Sequence, residues 1–164
     1  ERTESLLLGG HTATLHEGRI TQFGETPMVY REPRDLVSAM VFSDPPINSA
    51  AVTKQGDRFI LDDQISWQVD ESQQGLSDGP YIVAIRPHHI SPVEHGEDLV
   101  RVEGKVLVTE LSGSESVVHF ELGGGTWISQ SHGIHPFKVG DRATFYVDTE
   151  KCMYFGHDNK RLAA

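Results

Sequence analysis

Histidine side chains are the most numerous groups in this sequence that could bind a metal ion or carry a proton. Nine of the 164 residues are histidines, and five of them form two clusters in the sequence: His88, His89 and His95, then His132 and His135. A structural zinc site needs three or four ligands that converge at about 2 Å, usually with thiolates or carboxylates at fixed spacing. The chain has a single cysteine, and adjacent histidines on a strand point to opposite faces. We therefore expect no metal site at these clusters.

A hydrolytic triad could be assembled from one short segment that contains three serines, a histidine and a glutamate: Glu110, Ser112, Ser114, Ser116 and His119. A serine nucleophile of the elbow type lies in a Gly-x-Ser-x-Gly turn, and no such segment occurs here. We interpret these serines as residues of a polar turn. Trp67 and Trp127 could stack against a sugar, but isolated aromatic residues on strands more often pack in a core.

Residues 111–115 (LSGSE) are too short and acidic for a phosphate-binding loop, which leaves the glycine-rich segment 122–126 (LGGGT) for comparison with one. Such a loop ends in Gly-Lys-Ser/Thr, because its backbone amides and its lysine hold the phosphates. The segment lacks the lysine, so we predict a hairpin turn. No hydrophobic run closes with Asp-Glu to hold magnesium either. We expect this chain neither to bind ATP tightly nor to hydrolyse it, and to need no cofactor of its own.

The composition, 37% hydrophobic and 23% charged, is typical of an ordinary globular domain. A formal net charge of -10, with the acidic residues scattered along the chain, argues against a nucleic-acid partner, which requires clustered Lys and Arg. No apolar run reaches the roughly 18 to 20 residues that cross a bilayer, and no leader opens the chain, so we expect no direct membrane insertion. Cys152 has no intrachain disulfide partner, which is compatible with a reducing cytoplasm.

The first 42 residues carry mainly helix signals around one hairpin. Residues 3–8 end at two glycines and predict a helix, and residues 12–16 and 19–23 predict a hairpin around Glu17 and Gly18. Thr26 before a proline predicts the N-cap of a second helix, which ends before Pro33. A third short helix begins near Asp35 and places four apolar residues on one face: Leu36, Val37, Met40 and Val41.

From Ser49 onward the apolar residues alternate with a period of two, which predicts many short strands separated by Gly and Asp turns. The predicted strands are residues 51–53, 57–61, 65–69, 81–86, 99–111, 116–122, 126–129, 142–147 and 153–155. This spacing is typical of a small barrel or sandwich.

Four segments, taken in order, resemble the C-terminal part of the ATP-binding subunit of a carbohydrate-type ABC importer. Residues 3–6 (TESL) resemble the segment after the switch histidine, and residues 18–33 (GRITQFGETPMVYREP) the end of the ATPase domain. Residues 43–48 (SDPPIN) resemble the linker into the regulatory domain. Residues 84–90 (AIRPHHI) are similar to the family segment Gly-Ile-Arg-Pro-Glu-His, followed here by residues 108–115 and by Gly140-Asp141. Their order and spacing make the match specific.

The resemblance implies a mainly β fold with two parts. Residues 1–42 would be the C-terminal remnant of the nucleotide-binding domain, a short α+β segment, and residues 43–164 a TOBE domain, a small OB-like β-barrel. The implied function is regulation and dimerisation in an importer for a sugar, glycerol or glycerol phosphate, coupling paired ATPase subunits to transport. ATP and magnesium would belong to the parent protein. Membrane subunits would be contacted through the missing domain, and the protein would be cytoplasmic and peripheral on the inner face of the plasma membrane.

Two groups of residues are expected to serve this role. Interface or regulatory candidates lie at the proline corner and in a later turn: Arg86, Pro87, His88, His89, Glu110, Ser112 and Gly113. Apolar residues of the first 42 positions would form an exposed patch for a homodimer: Leu6, Leu7, Leu8, Val37, Met40 and Val41. The alternative function, also open at this point, is a free-standing OB-like module that binds a small oxyanion or a sugar.

Overall fold

A computed structural model describes residues 2–162. Its N-terminal part contains helix α1 (Arg2–Leu8), the hairpin β1 (His11–His16) and β2 (Arg19–Glu25), and helices α2 (Thr26–Arg31) and α3 (Leu36–Val41). The predicted hairpin is confirmed, and its two turn residues, Glu17 and Gly18, have φ angles of 48° and 75°. Positive φ at both central residues matches the twist of the flanking strands, as in a type I′ turn.

The prediction that Thr26 caps α2 is wrong. Glu25 occupies the N-cap position and makes no side-chain cap, while Thr26 is the first helical residue. Thr26 is fully buried, and its hydroxyl donates to the carbonyl of Gly10 at 3.1 Å. The hydroxyl is used to fasten the segment before β1 to the start of α2, so it is not available to the helix amides. In α3, by contrast, Asp35 is a side-chain N-cap and accepts from the amide of Ser38 at 2.7 Å.

Two antiparallel five-stranded sheets form the rest of the molecule, in the orders β10-β9-β8-β11-β7 and β12-β6-β3-β4-β5. Their strands are β3 (Asn48–Gln55), β4 (Arg58–Ile60), β5 (Ser66–Gln68), β6 (Gly79–Ile85), β7 (Ile90–Ser91), β8 (Leu99–Leu111), β9 (Glu115–Leu122), β10 (Gly125–His132), β11 (Arg142–Asp148) and β12 (Met153–Phe155). Every predicted strand is present, and β7 is the addition. The mainly β, barrel-like fold expected from the sequence is confirmed.

The core lies between the two sheets and is built around stacked aromatic rings. Phe120 and Phe145 stack with ring centres 3.9 Å apart, and Phe59 and Tyr154 stack at 4.1 Å. Burial of such rings contributes most of the stabilising free energy that a small barrel has available. Cys152 contacts both aromatic groups at the boundary between them.

One buried side chain joins the two sheets. Asn48 of β3 donates from its amide nitrogen to the carbonyl of Ile128 at 2.8 Å and accepts from the Ile128 amide at 2.6 Å. Ile128 belongs to β10, which is in the other sheet. The Asn48 side chain thus pairs with both the N–H and the C=O of Ile128, although β3 and β10 are not paired strands.

A close approach of two strands requires glycine at position 104. A Cβ atom there would lie 2.1 Å from the carbonyl oxygen of Glu121, far inside contact distance. The register of β8 and β9 shifts nearby, between Val106 and Val108. The bulge bends β8, which pairs with β9 at one end and with β11 at the other.

The N-terminal part packs directly on the sheets. Ala39 of α3 is fully buried against Ala84, Met153 and Phe155. Backbone hydrogen bonds from the C-terminal residues hold the same region: the Leu36 amide donates to Asn159, and the Arg161 amide donates to Arg34, each at 2.9 Å. The division of the chain into residues 1–42 and 43–164 rests on the family resemblance and stays a prediction.

Candidate functional site

The proline corner predicted from the sequence follows the buried end of strand β6. Val83, Ala84 and Ile85 are fully buried, and β6 stops at Ile85. Arg86 is held in an extended conformation, as residues before proline are, and Pro87 opens a single 3-10 turn, Pro87–His89. The corner therefore fixes the directions in which Arg86 and the two following histidines leave the barrel.

Arg86 points toward the N-terminal helices and is only 6% exposed. Its guanidinium carbon lies 3.9 Å from the centre of the Tyr30 ring, and its Nη2 donates to the Tyr30 carbonyl. Burial lowers the pKa of Arg86 from its ordinary value, with Tyr30 opposing this and Arg161 adding to it. Within residues 2–162 the buried Nε has no hydrogen-bond partner. Arg86 was predicted as an interface residue, and inside this chain it joins the barrel to α2.

His88 and His89 follow at the rim of this joint, with ring centres 4.0 Å apart. Burial lowers the pKa of His89 to about 4, and His88, Lys151 and Arg86 add to this by opposing a further positive charge. Burial, followed by Arg86, also lowers the pKa of His88. Both imidazoles are therefore neutral near pH 7.

A cavity of about 620 Å³ opens beside His88. One side is formed by the segment that follows the proline corner: His88, Ser91, Val93 and His95. The opposite side is formed by the start of β9, the end of β10 and the segment after it: Glu115, Gln130, Ser131, His132 and His135. Four of the five clustered histidines, all except His89, therefore line one space, although the two clusters are more than thirty residues apart in the sequence.

Hydrogen bonds fix several of these side chains. Gln130 donates from Nε2 to the Glu115 carboxylate at 3.2 Å. The Nδ1 of His95 lies 2.9 Å from the Val93 carbonyl, and the Nε2 of His135 lies 3.1 Å from the His132 carbonyl. A carbonyl only accepts, so each of these ring nitrogens carries the proton.

The other predicted regulatory residues, Glu110, Ser112 and Gly113, are not among the described residues that line the cavity. Ser112 and Gly113 form the exposed turn before β9, where the Ser112 amide donates to the Glu115 carbonyl at 3.0 Å. Glu110 is exposed near the end of β8, with Val117 as its partner in the register.

Sequence reasoning did not select Glu115 or Gln130. The hairpin register alone would have paired Glu115 with His132, because the glycine turn of β9 and β10 fixes it. The contribution of residues 88–95 depends on a packing contact between distant segments, for which no local signal exists.

The remaining sites weighed from the sequence have structural roles. Ser116 is buried, and its hydroxyl donates to the carbonyl of Gly133 at 2.8 Å. The prediction that Trp67 and Trp127 pack in the core is confirmed, since both are buried. The prediction of a hairpin turn in the glycine-rich segment is also confirmed: Gly123 and Gly124 have φ angles of 56° and 78° between β9 and β10.

The residues of the predicted apolar patch differ in exposure. Leu7 and Leu8 are 81% and 86% exposed, and Met40 is 53% exposed. Leu6 is less exposed and lies in a small groove beside Arg86, while Val37 and Val41 are half-buried. Three further apolar side chains are exposed on the adjacent hairpin: Leu15, Ile20 and Phe23.

Two kinds of feature are absent from residues 2–162. No three of their histidine, cysteine, aspartate and glutamate side chains are grouped so that they could hold a metal ion. None of the helices in this range has the length and apolar character that crossing a membrane requires.

Part of the barrel is similar to a known domain, and most of the chain is similar to known proteins. Residues 83–155 match the model of the TOBE domain. The uncharacterized ABC transporter ATP-binding protein YcjV of Escherichia coli O157:H7 is 24% identical over 94% of this chain and 44% of its own length. The sulfoquinovosyl glycerol transport ATP-binding protein SmoE of Agrobacterium fabrum is 31% identical over 75% of this chain and 35% of its own. The sn-glycerol-3-phosphate import ATP-binding protein UgpC of Chromobacterium violaceum is 24% identical over 98% of this chain and 44% of its own length.

These matches confirm the resemblance to ABC importer ATP-binding subunits that the sequence motifs indicated, and residues 83–155 are similar to the TOBE domain. The chain spans less than half the length of the curated relatives it matches.

Proposed function

We propose that this chain is a regulatory and dimerisation unit of the ATP-binding subunit of an ABC importer for a sugar, glycerol or glycerol phosphate. In this role it holds two ATPase subunits together and couples their opening and closing to transport. The partner is a second copy of the chain or a paired ATPase subunit, and the membrane subunits are contacted through the ATPase domain. The protein then works in the cytoplasm, attached to the inner face of the plasma membrane. ATP and magnesium are bound by the ATPase domain.

The observation that carries this proposal is the joint between Arg86 and Tyr30. A regulatory barrel can act on an ATPase domain only if the two move together, which requires a stiff connection. Arg86 supplies one, since its guanidinium is buried against the Tyr30 ring and bonded to the Tyr30 backbone. Ala39 in the apolar cluster of Ala84 and Phe155 supports the same connection. If residues 1–42 are the end of an ATPase domain, a rotation of that domain moves the barrel with it.

Dimerisation is supported by the exposed leucines of α1. Leu7 and Leu8 leave two large apolar side chains in solvent, and exposed apolar surface favours association with another chain. Holding two ATPase subunits through such a contact keeps their effective concentration high while their nucleotide sites open.

Sedimentation velocity of the 164-residue chain over a wide concentration range tests the association. A dimer in the micromolar range that the double variant Leu7→Ser/Leu8→Ser weakens would support the proposal. Thr3→Ser changes an exposed position of the same helix without removing a leucine and is the control. A monomer at high concentration would contradict the dimerisation part.

Coupling is tested in a chimera in which this chain replaces the matching part of UgpC. Arg86→Ala in that chimera should reduce the ATPase rate that transport substrate stimulates, with the basal rate unchanged. An unaltered stimulated rate would contradict the coupling role.

A second candidate function, a small-ligand binding module, is favoured by one observation, the cavity beside His88 with its hydrogen-bonded Glu115. An oxyanion is the weaker of the two ligands considered from the sequence, because a carboxylate on the cavity wall repels anions.

A further inference from the structure

We propose that the cavity between the segment 88–95 and the end of β10 binds a neutral polyhydroxylated molecule, a sugar or a polyol. The site is distinct from the joint at Arg86 and does not depend on the regulatory role proposed above. Its volume of about 620 Å³ falls within the roughly 300–1,000 Å³ of small-molecule sites.

Buried hydrogen bonds hold the walls of this cavity in place. Ser129 of β10 is 1% exposed, and its hydroxyl donates to the carbonyl of Ile90 at 2.6 Å, which ties β10 to the segment after the proline corner. On the other wall, Ser116 of β9 is fully buried and holds the segment that follows β10. Its hydroxyl donates to the Gly133 carbonyl and accepts from the His135 amide at 2.9 Å. The side chains on the two walls are therefore positioned before a ligand arrives, which reduces the entropy lost on binding.

The walls present hydrogen-bond acceptors. Nδ1 of His95 and Nε2 of His135 donate to backbone carbonyls, which leaves the other nitrogen of each ring available to accept a hydrogen bond in the neutral form. The Glu115 carboxylate accepts one bond from Gln130 and retains further acceptor capacity, and Gln130 keeps its carbonyl oxygen. A ligand that matches these groups has several O–H donors.

Charge excludes the phosphorylated forms of such ligands. Among the described residues that line the cavity, Glu115 carries the only formal charge and no lysine or arginine is present. Arg86, two residues before His88, directs its guanidinium to Tyr30. A phosphate ester would therefore enter with its charge uncompensated, next to a carboxylate. The apolar side chain of Val93 and the imidazole faces suit the C–H surfaces of a sugar.

Calorimetry and histidine side-chain NMR on the 164-residue chain test the proposal with defined probes. Glycerol, glucose, maltose and trehalose are titrated beside glycerol 3-phosphate and glucose 6-phosphate. We expect at least one neutral compound to saturate with a Kd tighter than roughly 1 mM and to shift the signals of His95 and His135. The phosphate esters should bind at least about tenfold more weakly than their parent polyols.

A matched pair of variants on one strand distinguishes the cavity from the rest of the surface. Glu115→Gln keeps the shape and a hydrogen bond to Gln130 but removes the charged acceptor, so it should weaken binding about tenfold. Glu121→Gln makes the same change on an exposed part of β9 outside the cavity and should leave binding unchanged.

Three results would overturn the proposal: no neutral probe saturates, a phosphate ester binds more tightly than its parent and gains from Glu115→Gln, or binding requires added Zn²⁺ and disappears with EDTA. None of these results affects the association test of the α1 leucines, so the two proposals fail separately.

Discussion

The guanidinium of Arg86 and the ring of Tyr30 are stacked 3.9 Å apart, although 56 residues separate them in the sequence. Arg86 directly follows strand β6 of the barrel, and Tyr30 lies on α2 of the N-terminal part. Because the arginine is desolvated here, its attraction to the ring and to the Tyr30 carbonyl acts at low dielectric and is stronger than at a surface.

Arg86→Ala should lower the free energy of unfolding by about 2 kcal/mol, because it removes a buried charge-assisted hydrogen bond and the packing of the arginine stem. Urea unfolding followed by fluorescence measures this. Arg101→Ala, at an exposed arginine paired with Glu103, is the control and should cost less than about 0.5 kcal/mol. A double-mutant cycle with Tyr30→Leu should give a coupling of about 1 kcal/mol. Additive effects of the two substitutions would show that the stacking contributes nothing.

Gly104→Ala should destabilise the barrel by about 3 kcal/mol, since the new methyl group would collide with the carbonyl of Glu121 and force β8 and β9 apart. The melting temperature and urea midpoint report the loss. Gly75→Ala is the matched control, because no atom lies within 4 Å of the place that its new methyl group would occupy. Equal stability of the two variants would contradict the close approach.

Asn48→Ala should cost about 2 to 3 kcal/mol, because both backbone groups of Ile128 lose their partner in a buried place. Thermal unfolding measures the loss, and amide hydrogen exchange at Ile128 should accelerate specifically. Ser49→Ala, at the exposed neighbouring position, serves as the comparison. Unchanged exchange at Ile128 in Asn48→Ala would mean that the two sheets are held together elsewhere.

His89 should make the protein less stable in mild acid. Its pKa is about 4 in the folded chain against 6.5 for an unperturbed histidine, so between these values the unfolded chain binds more protons. Stability therefore falls as the pH drops from about 6.5 toward 4, and this contribution is absent above 6.5. The neighbours that set this pKa besides burial are His88, Lys151 and Arg86.

Urea midpoints measured from about pH 4 to about pH 8 test the pH prediction. His89→Asn should flatten the curve between pH 4 and 6.5, whereas His157→Asn, at an exposed histidine, should not. A direct NMR titration that places the His89 pKa near 6.5 would refute the assignment.

Local signals in the sequence were sufficient for the elements of this fold. Glycines at positions 18 and 124 dictate tight hairpin turns, and Pro87 dictates where β6 must end, so strand order along the chain could be predicted. The role of Thr26 could not be predicted in this way. Its hydroxyl can either cap the helix or bond to a distant backbone group, and here it bonds to the carbonyl of Gly10.

The candidate site depended on contacts between distant segments. Arg86 was noticed because of the proline that follows it, but its burial against Tyr30 depends on how α2 docks. Likewise the histidine clusters can be recognised in the sequence. Their proximity to Glu115, however, depends on the packing of β10 beside the proline corner. Side-chain patterns predict faces of an element, and they do not predict which faces meet.

The amide of Asn48 has one more implication. Where it binds Ile128, no ladder of main-chain hydrogen bonds among the described strands joins the two sheets, so two side-chain hydrogen bonds and the packing of the core take the place of strand pairing. This side-chain link lies one residue away from Ser129, which anchors the wall of the histidine-lined cavity, so the two contacts hold neighbouring positions of β10 from opposite sheets.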